Sequence, residues 1–209
     1  MLFRSVALGL LGEGDAERGG RVGPAADLLR EAGLEPLTLD SKEGLALING
    51  TQATTGVGIL ALARAERALD TAEAAAAMSH EALLGTPVAY CDEIQAARPH
   101  DGQIHSARLL RALLDDSEIR ESHLEDDPRV QDAYSLRCVP QVHGAARHAL
   151  AYARGILQTE ANSATDNPLV FPEAEMVVSG GNFHAQIVSQ ALDLRSEEHT
   201  SELQSQFRI

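Results

Sequence analysis

Residues 51–63, TQATTGVGILALA, carry no charge and begin the longest regular segment of the chain. The segment continues over residues 64–84 as RAERALDTAEAAAAMSHEALL and ends at Gly85-Thr86-Pro87. A helix without a polar stripe is buried on most sides, and this is our prediction for residues 51–63. If Gly56 and Gly58 do not interrupt it, the helix is about 50 Å long at 1.5 Å per residue. Such a length indicates a large helical bundle and an oligomer.

The composition also favours helices. The chain of 209 residues is 44% hydrophobic but only 3% aromatic, and it contains no Trp. Its core must therefore consist of Leu, Ile, Val and many Ala. Ala and Leu have the highest helix propensities, whereas strands prefer β-branched and aromatic residues. The predicted fold class is mainly α, a long-helix bundle, in one domain or a large part of one.

Charge and cysteine content exclude several classes of function. The net charge of −14 repels nucleic acid and anionic membranes, so neither is expected as a partner. Cys91 and Cys138 lie 47 positions apart without a CxxC motif, which is typical of a reducing cytoplasm. No run of 18 apolar residues predicts a membrane span. His143 and His148 are poorly spaced for one helical face, and no HExxH occurs, so no metal site is expected.

Turn-forming residues divide the rest of the chain. The Gly-rich residues 6–24 predict loops with little regular structure. Gly33 ends a short helix over residues 25–32. The other predicted helices cover residues 103–114, 141–158 and 182–194. Loops or irregular segments are predicted at residues 115–127, 162–172 and 173–181.

Three of the segments between or beside these helices contain amides, glycines or an aromatic ring suited to a site. Asn49, in Leu47–Gln52, precedes the long helix, where its amide either caps the helix or binds a ligand. Asn167 belongs to Asn162–Pro168, whose residue types favour a structured turn. Phe183 follows the paired glycines of Ser179–His184 and is either a core residue or part of a site.

A fourth segment, QDAYSLRC at residues 131–138, contains Gln131, Tyr134 and Arg137 at intervals of three. On a helix this spacing places an amide, a phenol and a guanidinium on one slowly drifting face. A guanidinium binds a carboxylate through two parallel hydrogen bonds, and a phenol serves as an acid, a base or a donor to an oxyanion. A solvated helix face explains the same spacing without a function.

Taken in order, these segments resemble the histidine ammonia-lyases, within the aromatic amino acid ammonia-lyase family. The resemblance is carried by Ala46–Thr51, Gln131–Cys138 with the following PQVHGA at residues 140–145, Asn162–Pro168 and Ser179–His184. It extends from about Val6 to about Leu194. Relatives acting on phenylalanine or tyrosine differ around residues 142–145 and 164–165. At Ala185-Gln186-Ile187 the chain departs from the Gly/Ala-Glu-Pro of many relatives.

The resemblance implies a long-helix bundle of the ammonia-lyase type, here incomplete, in a cytoplasmic homotetramer. It implies that L-histidine is converted to trans-urocanate and ammonia. The family's electrophile is a methylidene-imidazolone ring formed from an internal Ala-Ser-Gly, which in the family lies just before the segment beginning near Val6. This chain contains no Ala-Ser-Gly. We therefore expect it to be inactive alone. Family site residues from the N-terminal part, a tyrosine and a histidine, and a C-terminal glutamate are also missing.

The resemblance also implies a role for each matching residue. Asn49 and Tyr134 are the catalytic candidates, the first beside the electrophile and the second near it and the substrate amine. Arg137 is implied to hold the substrate carboxylate, with Gln131 as a hydrogen-bonding neighbour. Phe183 is implied to form a wall of the pocket. Asn167 is implied to support the site.

Both ends of the chain resemble translated sequencing adapter. The similarity covers Arg195–Ser205 and, read from the opposite side, Leu2–Ser5. We therefore predict that residues 6–194 are the central part of an ammonia-lyase catalytic domain and that residues 1–5 and 195–209 are non-native. Two alternatives stay open. One is an aromatic ammonia-lyase or aminomutase acting on tyrosine or phenylalanine, and the other is a non-catalytic helical assembly subunit.

Overall fold

A computed structural model of the chain describes residues 2–123 and 129–193. The adapter-like tail at residues 195–209 lies outside the described residues, and the non-native origin of both ends stays a prediction. The helices are α1 Leu2–Leu10, α2 Ala25–Glu31, α3 Glu43–Ile48, α4 Gln52–Ala82, α5 Asp92–Ala97, α6 Asp101–Leu113, α7 Glu118–Glu121, α8 Tyr134–Arg137, α9 Val139–Ala161 and α10 Gln186–Asp193. Two 3-10 helices, Pro87–Tyr90 and Pro172–Ala174, and two antiparallel hairpins complete the described part. The mainly α fold class is confirmed.

Two compact units make up the chain. The first consists of Met1–Gly56 and Thr159–Val188, and the second of Val57–Gln158 and Ser189–Ile209. Helices α4, α9 and α10 contribute residues to both units.

The expectation of loops over residues 6–24 was wrong. Helix α1 extends to Leu10, and strands β1 (Asp15–Arg18) and β2 (Arg21–Pro24) form a hairpin in which Arg18 pairs with Arg21. The two residues between them, Gly19 and Gly20, have φ of 60° and 82°. A two-residue hairpin turn of this type needs positive φ at both positions, which glycine adopts without strain. The glycines thus build a turn between paired strands.

A second hairpin, β3 (Leu169–Phe171) with β4 (Met176–Val178), occupies part of the region predicted as irregular. Its register pairs Leu169 with Val178 and Phe171 with Met176. The strands are three residues each, too short for an alternating pattern to indicate them in the sequence. In the sequence, this hairpin lies between the candidate motifs Asn162–Pro168 and Ser179–His184, so its fold determines how the two motifs are placed relative to each other.

Helix α4 is continuous through Gly56 and Gly58, as the uncharged segment predicts. This chain alone buries only one side of the uncharged segment at residues 51–63, so burial on most sides stays a prediction for the oligomer. Among residues 51–63 the buried positions fall in one stripe, consisting of Thr51, Thr55, Gly58 and Leu62. The apolar residues between them stay exposed, with Val57 and Leu60 accessible over 68% and 65% of their surface. The uncharged segment therefore has more apolar surface than the other residues of this chain cover.

The region Glu43–Ala82 is long and apolar enough to cross a membrane by length and composition, with a hydropathy of 1.3 in its most apolar window. A single such helix is weak evidence, because a core helix of a helical bundle passes the same test. The expectation of no membrane partner stays a prediction.

Arginines of α9 form ion pairs with acidic residues of α4 in the second unit. Arg147 contacts Glu73, and Arg154 contacts Glu66. The acidic residues are seven positions apart on α4 and the arginines seven positions apart in the opposite direction on α9, as expected for antiparallel helices. Beside them, the core contains Ala77, Tyr90, Ala107, Leu110, Leu114 and Val139.

The Glu73 carboxylate is completely buried. It accepts a hydrogen bond of 2.5 Å from the Ser106 hydroxyl and bonds from Arg147, which also pairs with Asp70 at 3.0 Å. Burial alone would raise the pKa of Glu73, but the hydrogen bonds from Arg147 and Ser106 hold it below its ordinary value. Glu73 is therefore a charged group inside the core with its charge compensated.

Candidate functional site

In the first unit, Asn49 ends α3. Its backbone N–H donates to the Leu45 carbonyl at 2.9 Å, and its extended backbone leads through Gly50 to Thr51. Helix α4 begins only at Gln52, and Thr55 N–H donates to the Thr51 carbonyl. Asn49 is thus the C-terminal cap of α3 and lies outside the first turn of α4. This position argues against the interpretation that its amide caps α4.

The Asn162–Pro168 turn and the Ser179–His184 segment meet in the first unit. The Asn167 side-chain oxygen accepts a hydrogen bond of 2.8 Å from Gly180 N–H, and the Asn182 amide donates to the Ala164 carbonyl at 3.3 Å. The Asn167–Pro168 peptide bond is cis. Hairpin β3–β4 separates the two motifs in sequence and brings them together in space. Phe183, 38% exposed, lies in the segment that these bonds hold.

The same turn is bonded to the segment before α3. Asp166 forms an ion pair with Lys42, which is the N-terminal cap residue of α3 and has a φ of 77°. The Lys42 ammonium, together with the backbone N–H of Asn167, holds the pKa of the Asp166 carboxyl below its ordinary value. Helix α3 therefore begins next to Lys42, which contacts the Asn162–Pro168 turn, and ends at the catalytic candidate Asn49.

In the second unit, the predicted shared helix face of Gln131, Tyr134 and Arg137 was wrong. Helix α8 covers only Tyr134–Arg137, and its N-terminal cap residue Ala133 has an extended ψ of 144°. Gln131 precedes the helix. Tyr134 and Arg137 lie on one helical turn, and Tyr134 is 74% exposed.

The Arg137 side chain is directed by the backbone beside it. Its Nε donates a hydrogen bond of 2.9 Å to the carbonyl oxygen of Asp132. This bond uses one of the five N–H donors of the guanidinium and leaves the edge formed by Nη1 and Nη2 for a second partner. Such an edge suits a carboxylate, which it binds through two parallel hydrogen bonds.

Sequence reasoning missed three buried residues within or next to the Gln131–Cys138 segment: His80, Tyr90 and Asp132. The Tyr90 hydroxyl donates to the Leu136 carbonyl at 2.7 Å and lies 3.3 Å from His80 Nδ1. The Asp132 carboxylate accepts from Thr86 N–H at 2.6 Å. No local pattern indicates these contacts, because their partners are 10 to 46 positions apart in the sequence.

Metal-binding side chains do not cluster in the described part of the chain. No group of three or more His, Cys, Asp or Glu residues there is arranged to hold a metal ion. Cys91 and Cys138 are both free thiols. The site candidates in the two units are therefore amides, a phenol, a guanidinium and an aromatic ring.

Comparisons with known proteins agree with these motifs. The chain is 56% identical over 189 residues to a histidine ammonia-lyase of Stigmatella aurantiaca and 53% identical over 189 residues to one of Myxococcus xanthus. Each match covers 90% of this chain, and the chain spans 37% of the length of each relative.

Solved structures show the same similarity. Histidine ammonia-lyase from Trypanosoma cruzi is 47% identical with a TM-score of 0.80, over 91% of this chain and 35% of that one. Tyrosine aminomutase from Streptomyces globisporus is 42% identical with a TM-score of 0.81, over 91% of this chain and 40% of that one. The family model described as aromatic amino acid lyase matches residues 3–200. The chain therefore belongs to the aromatic amino acid lyase family.

Proposed function

We propose that residues 6–194 are the central part of the catalytic domain of a histidine ammonia-lyase, which releases ammonia from L-histidine and leaves trans-urocanate. The observation that carries the proposal is the identity of 53–56% over 189 residues to two relatives named histidine ammonia-lyase. It is supported by the candidate residues, whose types suit an amino acid substrate. The proposed enzyme is a cytoplasmic homotetramer.

Arg137 is the proposed contact for the substrate carboxylate. Its Nε is held by the Asp132 carbonyl, so the free Nη1–Nη2 edge keeps a fixed direction. Gln131 is the proposed hydrogen-bonding neighbour of the bound substrate. Fixing the carboxylate in this way contributes to catalysis by orienting the β-carbon, whose proton must be removed.

Tyr134 and Asn49 are the proposed catalytic residues. The phenol of Tyr134 is placed on the same helical turn as Arg137 and is proposed to exchange a proton next to the substrate amine. The amide of Asn49 supplies a donor and an acceptor at the end of α3. Phe183 is the proposed wall of the pocket, and Asn167 supports it through the bond to Gly180.

In the proposed enzyme, the methylidene-imidazolone ring supplies an electrophile that draws electron density from the substrate and eases loss of the β-proton. The residue types fit this group, because a carboxamide such as that of Asn49 and a phenol such as that of Tyr134 can each donate a hydrogen bond to a ring carbonyl. The sequence contains no Ala-Ser-Gly from which the ring forms. We therefore propose that the 209-residue chain forms no urocanate by itself.

A hybrid enzyme tests the function. Residues 6–194 replace the matching segment of the Stigmatella aurantiaca histidine ammonia-lyase, and urocanate formation from L-histidine is followed by ultraviolet absorbance. The same residues are placed in the Streptomyces globisporus tyrosine aminomutase. We expect activity in the first host only. Failure in the first host, with correct assembly by light scattering, contradicts the proposal.

An aminomutase acting on tyrosine is the second candidate. The observation in its favour is the 42% identity and TM-score of 0.81 to the Streptomyces globisporus enzyme. Activity of the hybrid in the aminomutase host only, with β-tyrosine as product, supports this candidate. Assembly without activity in both hosts supports a non-catalytic helical subunit.

A further inference from the structure

The buried face of the Gln131–Cys138 segment is held by a short stretch of chain that follows α4. Three hydrogen bonds define this arrangement. Tyr90 Oη donates to the Leu136 carbonyl at 2.7 Å, Asp132 Oδ2 accepts from Thr86 N–H at 2.6 Å, and Arg137 Nε donates to the Asp132 carbonyl at 2.9 Å. We propose that Tyr90 and Asp132 are positioning residues that fix the direction of the Arg137 guanidinium and so determine affinity for the substrate carboxylate. This inference rests on the proposed function.

Tyr90 is placed to hold the segment rigidly. It is 1% exposed and belongs to the core that includes Leu110 and Val139. Burial first, and then the nearby Asp132 carboxylate, raises the pKa of Tyr90 to about 12, so its hydroxyl stays a donor to Leu136 at neutral pH. The backbone carbonyl of Tyr90 also accepts a hydrogen bond from Arg111 of α6, which pairs with Asp92 at 2.7 Å. The stretch that holds the Gln131–Cys138 segment is therefore itself bonded to α6.

Asp132 links Thr86, in the stretch that follows α4, to the Arg137 guanidinium. Its side chain is only 2% exposed, and its carboxylate receives Thr86 N–H while its carbonyl receives Arg137 Nε. Any rotation of the Asp132 backbone thus displaces the acceptor on which Arg137 depends. Arg129 lies 3.6 Å from the other carboxylate oxygen and compensates its charge. Neither Tyr90 nor Asp132 needs to touch the substrate for this effect.

Loss of Tyr90 or Asp132 should weaken the binding only of ligands that carry a carboxylate. If the two residues act through Arg137, their loss weakens binding of L-histidine and imidazolepropionate. It leaves binding of histamine, which is histidine without its carboxylate, unchanged. A general loss of packing weakens all three. The difference between imidazolepropionate and histamine therefore separates positioning from stability.

The test uses the active Stigmatella aurantiaca hybrid carrying Tyr90→Phe, which removes one hydroxyl. A hydrogen bond contributes about 0.5–1.5 kcal/mol, so we expect KM for L-histidine and the inhibition constant of imidazolepropionate to rise about two- to tenfold. The inhibition constant of histamine stays within experimental error. Tyr152→Phe is the matched control, because Tyr152 is 49% exposed on α9, and it should change neither constant.

A second pair of variants keeps the test independent of folding in Tyr90→Phe. Asp132→Asn retains an oxygen that accepts from Thr86 N–H and should bind imidazolepropionate nearly as well as the unmodified hybrid. Asp132→Ala removes the acceptor and should show the selective loss. Equal losses for imidazolepropionate and histamine, or no loss in Tyr90→Phe and Asp132→Ala, overturn the inference. An inactive unmodified hybrid instead overturns the proposed function.

Discussion

The side-chain oxygen of Asn167 accepts a hydrogen bond of 2.8 Å from the backbone N–H of Gly180. This bond closes the β3–β4 hairpin at its base and fixes the start of the segment that contains Phe183. It turns two motifs that are separate in sequence into one local structure. Both motifs belong to the first unit, so their arrangement depends on residues that this chain supplies.

Asn167→Ala should destabilise this local structure. Loss of one hydrogen bond costs about 0.5–1.5 kcal/mol, and we expect the lower half because Gly180 is exposed and water can replace the acceptor. Asn167→Asp is the control, since it keeps the oxygen, and the neighbouring Asp166 is already paired with Lys42. Urea denaturation of the hybrid measures both. If Asp and Ala lower the apparent free energy of unfolding equally, the bond to Gly180 does not stabilise the protein.

The buried Glu73–Arg147 pair should stabilise the folded protein far more than the Glu66–Arg154 pair on the same two helices. Glu73→Gln leaves Arg147 without its buried counter-charge, and breaking such a pair costs about 3–5 kcal/mol. We expect about 3 kcal/mol, because Arg147 still contacts Asp70.

Glu66→Gln provides the matched control one heptad away. It breaks the pair with Arg154, whose side chain is 60% exposed, and pairs in solvent contribute at most about 1 kcal/mol. Urea denaturation of the two hybrid variants checks the difference. Similar losses in both variants would show that burial does not strengthen the dependence on Glu73.

Acid should destabilise the protein through His80. This side chain is 2% exposed, and burial, which outweighs the nearby Asp132 carboxylate, lowers the pKa of its imidazole below the ordinary 6.5. A base with a lowered folded-state pKa contributes full stability above pH 6.5. As the pH falls from 6.5 towards the folded-state pKa, the unfolded chain binds more protons and this stability is lost.

The measurement is the apparent free energy of unfolding of the hybrid at pH 8, 7, 6 and 5.5. We expect a decrease below pH 7 that is smaller in His80→Gln. His143, whose pKa burial also lowers, leaves part of the decrease in place. His105→Gln, at an exposed position of α6, serves as the control and should keep the full decrease. The idea fails if His80→Gln and the unmodified hybrid lose stability in parallel.

The elements that sequence predicted correctly are those determined locally. Helix α4 follows from its apolar and Ala-rich composition, and α2 from the glycine that ends it, Gly33, with a φ of 73°. The failures concern distant contacts. The sequence also could not show how much of α4 this chain covers, because an apolar pattern shows which residues need a partner and not which chain supplies it.

The candidate site shows the same division. The motifs around Asn49, Arg137 and Phe183 were recognisable as strings, but the expected face of Gln131 and Arg137 failed because the backbone at Ala133 is still extended. Tyr90 and Asp132 could not be found at all. Each is joined to its partner over 46 positions, and hydrogen bonds between distant residues leave no spacing rule in the sequence.

The packing of α6 against α9 explains why a glycine stands at position 144, in the string VHGA of residues 142–145. A Cβ added at Gly144 would lie 2.5 Å from Gln103 N and 2.6 Å from its Cα, and one added at Gly102 would lie 2.3 Å from the Gly144 carbonyl oxygen. The two helices therefore touch backbone to backbone at these glycines. Neither a rotamer change nor a side-chain shift can make room there, because the opposing atoms belong to the main chain.

Gly144→Ala should accordingly destabilise the protein, although alanine is the better helix former. Overpacking costs about 1–3 kcal/mol even where side chains can adjust, so we expect at least the upper part of that range. Gly155→Ala on the same helix is the control, since its added Cβ meets nothing within 4 Å. It should raise the free energy of unfolding by up to about 1 kcal/mol through helix propensity alone. Urea denaturation of the two hybrid variants measures the change in the free energy of unfolding. If α6 and α9 approach this closely, Gly144→Ala lowers it and Gly155→Ala raises it. A stabilised Gly144→Ala variant would mean that these helices lie farther apart.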